Sequence, residues 1–363
     1  MPEINDSAKD WTTILNPQFK INSIYVTRYM GTKINLLDFL IPNITKELKK
    51  GDTVLDIMAG TNSIGYALKS KYRIFSNDVQ TYSYWIGKAL IENNEINISR
   101  ATALKDLEDF FFQNKVDSEF NLFEKLYSDT YFSSEQCKTI DNVRFAIEQV
   151  ENEYKKALYL TSLMYSMSYA QSTTGHFAQY MPMTHKRIVP LRQINIWEAF
   201  LTKCDEIKVV FSNYQNKCFN NDYKDFFSDT KLKDVLTQTD LVYLDPPYTA
   251  EQYSRFYHIL ETLVKYDYPE TTGKGKYRKD RYMSGFSRKS KVRNEFEFII
   301  KNIADLGIKL VISYSNKGIM SVDDIEKVCN NSYGAVKVMN YRYAHSTQGK
   351  GNVKVDEVLF ICK

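Results

Sequence analysis

Four consecutive residues, Asp245, Pro246, Pro247 and Tyr248, carry the clearest chemical signal in the sequence, directly after a short apolar run. A residue before proline is held extended and each proline fixes its own φ angle, so the turn keeps the Asp245 carboxylate beside the Pro246 carbonyl. Two neighbouring acceptors suit the hydrogens of an exocyclic amine, and Tyr248 offers a flat face for its ring. The turn therefore predicts a site that aims an aromatic amine at an electrophile. The alternative is a rigid strand terminator with an exposed aspartate.

A second group of residues starts at Asp56, within a predicted strand over Thr53 to Met58. The small-residue turn at Ala59, Gly60, Thr61 and Asn62 lets a ligand approach the backbone before a predicted helix. Asp78 ends the next predicted strand, 22 residues after Asp56, which suits a carboxylate that binds ribose hydroxyls. The turn departs from the dinucleotide fingerprint at Asn62, so it favours a nucleoside site over a pyrophosphate site. A tight turn without a ligand remains the alternative.

These residues need a sheet that brings the ends of several strands together. Predicted strands alternate with helical stretches along the chain, as expected of a parallel α/β sheet, and two β-rich runs at the end predict an antiparallel hairpin on its edge. The predicted strands are Thr53 to Met58, Tyr72 to Ser76, Asp240 to Asp245, Ile308 to Tyr314, Val336 to Tyr343 and Lys354 to Cys362. Between Thr102 and Leu201 the spacing of apolar residues becomes helical, which predicts a large helical insertion that forms a second lobe.

The positive charge of the chain is concentrated in one glycine-containing segment. Lys274 to Arg293 contains nine basic residues and one acidic residue, a local charge of +8, whereas the whole chain carries +4. Such a segment is typical of a mobile phosphate-binding loop, and a solvated loop is the alternative.

Composition excludes several classes of protein. The 363 residues are 43% apolar and 25% charged, which are globular values. No apolar run is long enough to span a bilayer and Met1 to Lys20 lacks the pattern of a secretion signal, so a cytoplasmic location is expected. The five cysteines form no CxxC pair and the four histidines are scattered, so neither a disulfide framework nor a protein-built metal site is expected.

Together these motifs resemble the Dam-like, alpha-group N6-adenine-specific DNA methyltransferases. The resemblance is carried by Asp245 to Tyr248, by Asp56 through Gly60, by Asp78 and by the segment Arg28 to Lys33, all in the family's order. It implies a Rossmann-like, S-adenosylmethionine-dependent methyltransferase sheet. The catalytic domain would comprise residues 20–101 and 202–363, and the helical insertion, residues 102–201, would recognise the target.

The resemblance also assigns roles to individual residues. Tyr29 and Lys33 match the N-terminal motif, whose lysine lies near the methionine carboxylate of S-adenosylmethionine. Asp78 would bind the cofactor's ribose, and Asp222 its adenine. The turn after the first strand would hold the methionine part, through Asp56, Ala59, Gly60 and Asn62. Catalysis would rest on Asp245, Pro246, Pro247 and Tyr248, with Asp245 also near the cofactor.

The implied reaction is direct methyl transfer to N6 of an adenine flipped out of duplex DNA. A restriction endonuclease of the same modification system is a further implied partner, and no membrane partner is expected. DNA contacts are predicted at Tyr253, Arg255, Lys274, Lys276, Arg278, Lys279, Arg281, Arg288 and Lys289. His258 is interpreted as a structural residue and not as a general base.

Three other functions remain open at this point. The same turn could present an adenine of structured RNA or the N4 amine of cytosine, and a catalytically idle DNA-binding subunit could keep the fold. Cytosine-C5 methylation is excluded, because it needs a cysteine after a proline and none of the five cysteines follows one.

Overall fold

A seven-stranded, mostly parallel sheet forms the centre of the chain. The structure is a computed structural model that describes residues 33–113, 120–173, 175–347 and 351–363. The strand order is β3-β2-β1-β4-β7-β9-β8, and a separate two-stranded sheet consists of β5 and β6. The strands are β1 (Thr53–Asp56), β2 (Arg73–Asn77), β3 (Lys217–Phe219), β4 (Leu241–Leu244), β5 (Thr271–Thr272), β6 (Tyr277–Arg278), β7 (Lys309–Ser315), β8 (Val336–Thr347) and β9 (Gly351–Cys362).

The strands β3, β2, β1, β4 and β7 run parallel, and β9 and β8 close the edge as an antiparallel hairpin. The predicted parallel sheet with an edge hairpin is therefore confirmed. The order of strands reverses between β1 and β4, and ligands of open α/β sheets bind outside the carboxyl ends of strands at such a point. Asp56 ends β1, Asp78 follows β2 and Asp245 follows β4, so the sheet places these three acids at one edge.

Helices cover both faces of the sheet. They are α1 (Leu37–Thr45), α2 (Ser63–Leu68), α3 (Thr81–Gly87), α4 (Arg100–Gln113), α5 (Leu122–Tyr127), α6 (Ser134–Glu148), α7 (Glu153–Ala170), α8 (Ile188–Arg192), α9 (Ile196–Glu206), α10 (Thr230–Thr237), α11 (Tyr253–Phe256), α12 (His258–Lys265), α13 (Val292–Asp305) and α14 (Val322–Ser332). Successive strand residues point to opposite faces, so Val54 joins one hydrophobic cluster and Leu55 the other. The cluster that contains Leu55 also contains side chains of α10, α13 and α14.

The predicted helical insertion corresponds to α4 through α9. Its side chains share one hydrophobic cluster with the sheet: Leu107 and Leu158 belong to the same cluster as Val54 and Ile74. The helix α7 packs on α3 and α9, and α3 contacts β2 and β3, so the insertion packs against a helix that covers the sheet. The division into residues 20–101 with 202–363 and residues 102–201 stays a prediction.

The aromatic-rich sequence from about Tyr82 to Asn93 predicts a helix, and the structure has α3 there, followed by a π-helical turn, Lys88–Glu92. Another local prediction needs correction. The basic segment is not a plain loop, because it contains β6, which pairs with the preceding β5, and the start of α13. Among the described residues, no helix has the length and apolarity needed to cross a bilayer. The same residues contain no group of three histidines, cysteines or acids arranged to hold a metal ion.

Candidate active site

A cavity of about 940 Å³, partly open to solvent, lies at the carboxyl ends of β1, β2 and β4. It collects most of the residues that the sequence singled out from distant parts of the chain. Of the predicted cofactor and catalytic residues, those that line it are Lys33, Asp56, Ala59, Gly60, Asp78, Asp245, Pro246, Pro247 and Tyr248. The amine-binding turn and the nucleoside-binding turn therefore open into one space. Tyr29 lies outside the described residues.

Asp56 is the most deeply buried acid of this cavity. Its side chain is 1% exposed, and its Oδ1 has no hydrogen-bond partner in the described part of the chain. Burial raises the pKa of Asp56 well above its usual range, and the nearby Asp245 and Asp78 raise it further. An unpaired buried carboxylate oxygen is costly. The ammonium group of a methionine moiety would supply the missing donor, so this residue fits the predicted cofactor.

Asp78 fixes the turn that follows β1. Its Oδ2 accepts a hydrogen bond from Gly60 N at 2.8 Å, and its Oδ1 accepts one from Gln80 N at 2.8 Å. Burial raises the pKa of Asp78 to about 6, and the two backbone donors oppose that rise. Because a carboxylate oxygen can accept a second hydrogen bond, Asp78 remains available to ligand hydroxyls. Its position suits the predicted ribose contact.

Asn62 does not contact the cavity, which corrects its prediction as a cofactor ligand. Its backbone is left-handed, with φ of 60°, a conformation that asparagine tolerates better than most residues. Its buried amide donates to Ser83 O at 3.1 Å and accepts from the Ser76 hydroxyl. Asn62 therefore adopts a backbone conformation that favours glycine, and its side chain ties the turn to β2.

Lys33 is the cation of the cavity. Its Nζ lies 2.8 Å from Asp245 Oδ1, 3.2 Å from Glu357 Oε1 and 5.4 Å from the centre of the Tyr248 ring. Burial raises the pKa of Asp245 to about 7, although Lys33 opposes the rise. A backbone hydrogen bond also holds the turn from Asp245 to Tyr248 in place: Ile319 N donates to Tyr248 O at 3.0 Å. The sequence did not indicate Glu357, which follows Asp356 within the predicted strand Lys354 to Cys362 and belongs to no recognised motif.

Asp222 lies beside the cavity without lining it. Its neighbours Asn221 and Tyr223 are part of the wall, whereas its own carboxylate caps a 3-10 helix by accepting from Lys224 N at 3.0 Å. Tyr282, which does line the cavity, hydrogen-bonds with Asp222. Contact between Asp222 and a cofactor adenine stays a prediction.

Apart from Tyr253, the outer wall of the cavity comes from residues that are not among the predicted site residues. Ser284 N donates to Gln252 Oε1 at 2.8 Å, and Gln252 Nε2 donates back to Ser284 O at 3.2 Å. Ser254 Oγ also donates to Tyr282 O at 2.6 Å. These contacts join two segments about 30 residues apart, so no local pattern could have indicated them.

The predicted DNA contacts differ in accessibility. Tyr253 lines the cavity, and the Arg255 guanidinium lies 4.9 Å from the centre of the Tyr277 ring. Lys279 is exposed but pairs with Glu270 at 2.9 Å, and the half-buried Arg281 donates to a backbone carbonyl. The remaining basic residues, which form no ion pair within the described part of the chain, are the exposed Lys274, Lys276 and Lys289 and the half-buried Arg288.

The structure contradicts the predicted DNA contact of Arg278. Its side chain is only 1% exposed, and its guanidinium forms ion pairs with Asp267 and Asp280. Both Asp267 oxygens accept, at 2.6 and 2.7 Å, which is bidentate geometry. Four of its five N–H donors are used by these two acids, and the side chain is buried, so Arg278 is a structural residue of the β5–β6 hairpin.

His258 is fully buried, and its Nε2 lies 3.1 Å from Phe177 O. Burial lowers the pKa of His258 to about 3, so the ring is neutral at physiological pH. It lies outside the cavity lining, which agrees with its interpretation as a structural residue.

Comparison with known families gives a match over residues 29–328 to the D12 class N6 adenine-specific DNA methyltransferases. Modification methylase LlaI of Lactococcus lactis subsp. lactis is 30% identical over 93% of this chain and 55% of its own length. Type II methyltransferase M.FokI of Planomicrobium okeanokoites is 29% identical over 83% of this chain and 46% of its own length. Type II methyltransferase M.NlaIII of Neisseria lactamica is 26% identical over 83% of this chain and 86% of its own length.

The chain thus spans about half the length of the first two of these relatives. The family match includes β1, β2 and β4 together with the acids that follow them, and it agrees with the resemblance drawn from the motifs alone. This chain belongs to the D12 class N6 adenine-specific DNA methyltransferase family.

Proposed function

We propose that this chain transfers a methyl group from S-adenosylmethionine to N6 of an adenine that is flipped out of duplex DNA. The observation that supports this most strongly is that the turn from Asp245 to Tyr248 and the turn from Asp56 to Gly60 line the same cavity. One turn is suited to an exocyclic amine and the other to a nucleoside with an ammonium group.

The charge of the cavity favours a cationic cofactor. Among the described lining residues, three carboxylates, Asp56, Asp78 and Asp245, face one ammonium group, that of Lys33. When bound, S-adenosylmethionine supplies an electrophilic methyl group on a positively charged sulfur. Asp56 would hold its ammonium group, Lys33 its carboxylate and Asp78 its ribose, with Asp222 near its adenine.

The turn after β4 would hold the target base. The Asp245 carboxylate and the Pro246 carbonyl would accept the two N6 hydrogens, and Tyr248 would stack on the ring. Rotation of the base out of the duplex costs a few kcal/mol, which these contacts must offset. Catalysis would then consist of positioning and electrostatic stabilisation, with no covalent enzyme intermediate.

Site-specific modification is the biological role that we infer. The relatives are named modification methylases and Type II methyltransferases. We therefore infer a cytoplasmic enzyme that works beside a restriction endonuclease, with residues 102–201 contributing to target recognition. Methylation of RNA adenine, methylation of cytosine N4 and an idle binding subunit are the alternatives that an experiment must separate.

The test is to incubate the protein with isotopically labelled S-adenosylmethionine and either duplex DNA or RNA of mixed sequence, and to analyse the nucleosides by mass spectrometry. Label in N6-methyldeoxyadenosine is the expected result, and Asp245→Asn is the control that should remove it. Label in RNA would show that the substrate is RNA adenine, and label in N4-methylcytosine would show that it is cytosine. Cofactor binding by calorimetry without any transfer would instead support the idle subunit.

A further inference from the structure

Glu357 is a buried anionic partner of the Lys33 ammonium group. It lies on β9 with its side chain 1% exposed, and its Oε1 is 3.2 Å from Lys33 Nζ. The Ser313 hydroxyl donates a hydrogen bond to the same carboxylate oxygen. A buried carboxylate is costly unless it is paired and hydrogen-bonded, and Glu357 has both partners.

The register of three neighbouring strands creates this arrangement. Glu357 on β9 lies opposite Ser315 on β7, so it shares a sheet face with Ser313, two residues earlier. Tyr243 on β4 lies opposite Val311, which places its side chain on that face as well. Three strands thus direct polar side chains towards a single lysine from the N-terminal part of the described chain.

The two partners of Lys33 differ in their access to a ligand. Asp245 is 19% exposed and lines the cavity, whereas Glu357 is almost fully buried and is absent from the lining. A ligand can therefore displace the contact between Lys33 and Asp245 without touching the contact between Lys33 and Glu357. Burial alone would lower the pKa of Lys33, but Asp245 and Glu357 together raise it well above its usual range.

We propose that Glu357 is a positioning residue, which retains the Lys33 ammonium group while the Asp245 carboxylate is released to accept the amine of the target base. This inference rests on the proposed methyl transfer. Without the Glu357 charge, Lys33 has Asp245 as its remaining anionic partner in this network. The lysine then competes with the substrate amine for the same carboxylate.

Removal of the Glu357 charge should change the pKa of Asp245 in a definite direction. The titratable groups that face Asp245 are Lys33, Glu357, Asp56, Tyr243 and Tyr248. Burial raises the pKa of Asp245 to about 7, Lys33 lowers it and Glu357 raises it. Removal of the Glu357 charge should therefore lower the pKa of Asp245. Because the ionised form accepts the amine, the acidic limb of the activity profile should move to lower pH.

The test compares wild type with Glu357→Gln, which keeps the shape and removes the charge. We expect kcat on the pH plateau to fall about tenfold or more, as for the loss of a charged hydrogen bond. We also expect the acidic limb of kcat/KM to move down by about one pH unit. A residue that only supports the fold would lower kcat without moving the limb.

Two further variants sharpen the comparison. Asp356→Asn is the matched control, because Asp356 is the neighbouring acid on the opposite face of β9 and pairs with Arg342 at 3.1 Å. It should leave both readouts unchanged. Glu357→Asp keeps the charge and should keep the acidic limb near that of wild type. Circular dichroism shows whether Glu357→Gln folds. If it does not, the test compares the kcat of Glu357→Asp with the kcat of Asp356→Asn.

A measurement without substrate separates this inference from the proposed function. Carbon-13 NMR of labelled aspartate carboxyls, with Asp245→Asn used for assignment, follows the titration of Asp245 directly. A lower pKa in Glu357→Gln than in wild type supports the inference even if no methyl transfer to DNA is found. An unchanged titration together with an unchanged pH profile would overturn it.

Discussion

The acids of the cavity are poised for a ligand that brings positive charge. Asp56, Asp78 and Asp245 come from the ends of three strands, and in each case burial is the main reason that the pKa is raised. The only ammonium group among the described lining residues is that of Lys33, which is already shared between Asp245 and Glu357. A cationic ligand would therefore restore ionisation to these acids, and its affinity should decline as the pH falls below 7.

Asp245 is the residue on which the proposed chemistry depends most. We expect Asp245→Asn to lower kcat by about 100-fold or more, because an amide presents one acceptor oxygen without a full charge to the substrate amine. Methyl transfer from labelled S-adenosylmethionine to duplex DNA measures the effect. The fold should persist, since Lys33 keeps its contact with Glu357.

The matched control for Asp245→Asn is Asp234→Asn, the same change at an exposed site on α10. It should leave kcat and the melting temperature at wild-type values. Activity of Asp245→Asn close to that of the control would remove Asp245 from the reaction and would leave the turn after β4 as a strand terminator.

Single residues were predictable where the backbone dictates their environment. Asp56, Asp78 and Asp245 follow strands, so their place at one edge of the sheet follows from the alternation of strands and helices. Asn62 is predicted as a cofactor ligand from its place in the turn after β1, and Arg278 as a DNA contact from its charge, but the side chains of both bond within the protein. Side-chain direction in a turn depends on partners far away in sequence, which a local pattern does not contain.

At the scale of secondary structure, ion pairs stabilise the hairpin of β5 and β6 more than apolar burial does. Each of its strands contains only two residues, and the Arg278 side chain is its largest fully buried one. Asp267, ahead of β5, and Asp280, after β6, converge on this guanidinium. The ion pairs therefore order a segment whose composition predicted a mobile loop.

Arg278 and Lys279 form a natural pair for testing this. Arg278→Met should lower the free energy of unfolding by about 2 to 3 kcal/mol, somewhat below the usual loss for a fully buried pair, because both acids remain partly exposed to water. Lys279→Met should change it by about 0.5 kcal/mol or less, since both members of its pair are exposed. Urea denaturation followed by circular dichroism measures both. Equal losses would show that burial of Arg278 adds nothing to the hairpin.

Strands that are buried on both faces were predicted to within about two residues, because a short continuous apolar run between turns is typical of a strand in a parallel sheet. The short edge strand β3 was missed, since three residues carry no period. The strands β8 and β9 extend beyond their predicted ends, to Thr347 and from Gly351, where their polar sequence resembles that of a loop.

Over the whole molecule, negative charge collects in the cavity and positive charge in the segment from Lys274 to Arg293. Ion pairs reduce the second concentration, because Arg278, Lys279 and Arg293 are matched by acids. Among the predicted DNA contacts, the charge still available to a polyanion lies mainly on Lys274, Lys276 and Lys289, which are exposed. Gln252 and Ser284 join this segment to the outer wall of the cavity, so phosphates bound here would lie close to a flipped base.

Neutralisation of these three lysines tests whether the segment binds DNA. The variant with Lys274→Gln, Lys276→Gln and Lys289→Gln should flatten the dependence of log Kd on log salt by about 0.9 for each phosphate contact that is lost. Fluorescence anisotropy with labelled duplex DNA at several salt concentrations measures the slope. The control changes Lys231, Lys233 and Lys301 to glutamine, which removes the same charge from exposed positions on α10 and α13. If binding responds only to net charge, the two variants will have the same slope. A smaller slope in the first variant alone would assign the phosphate contacts to this segment and would fix the side from which DNA approaches the cavity.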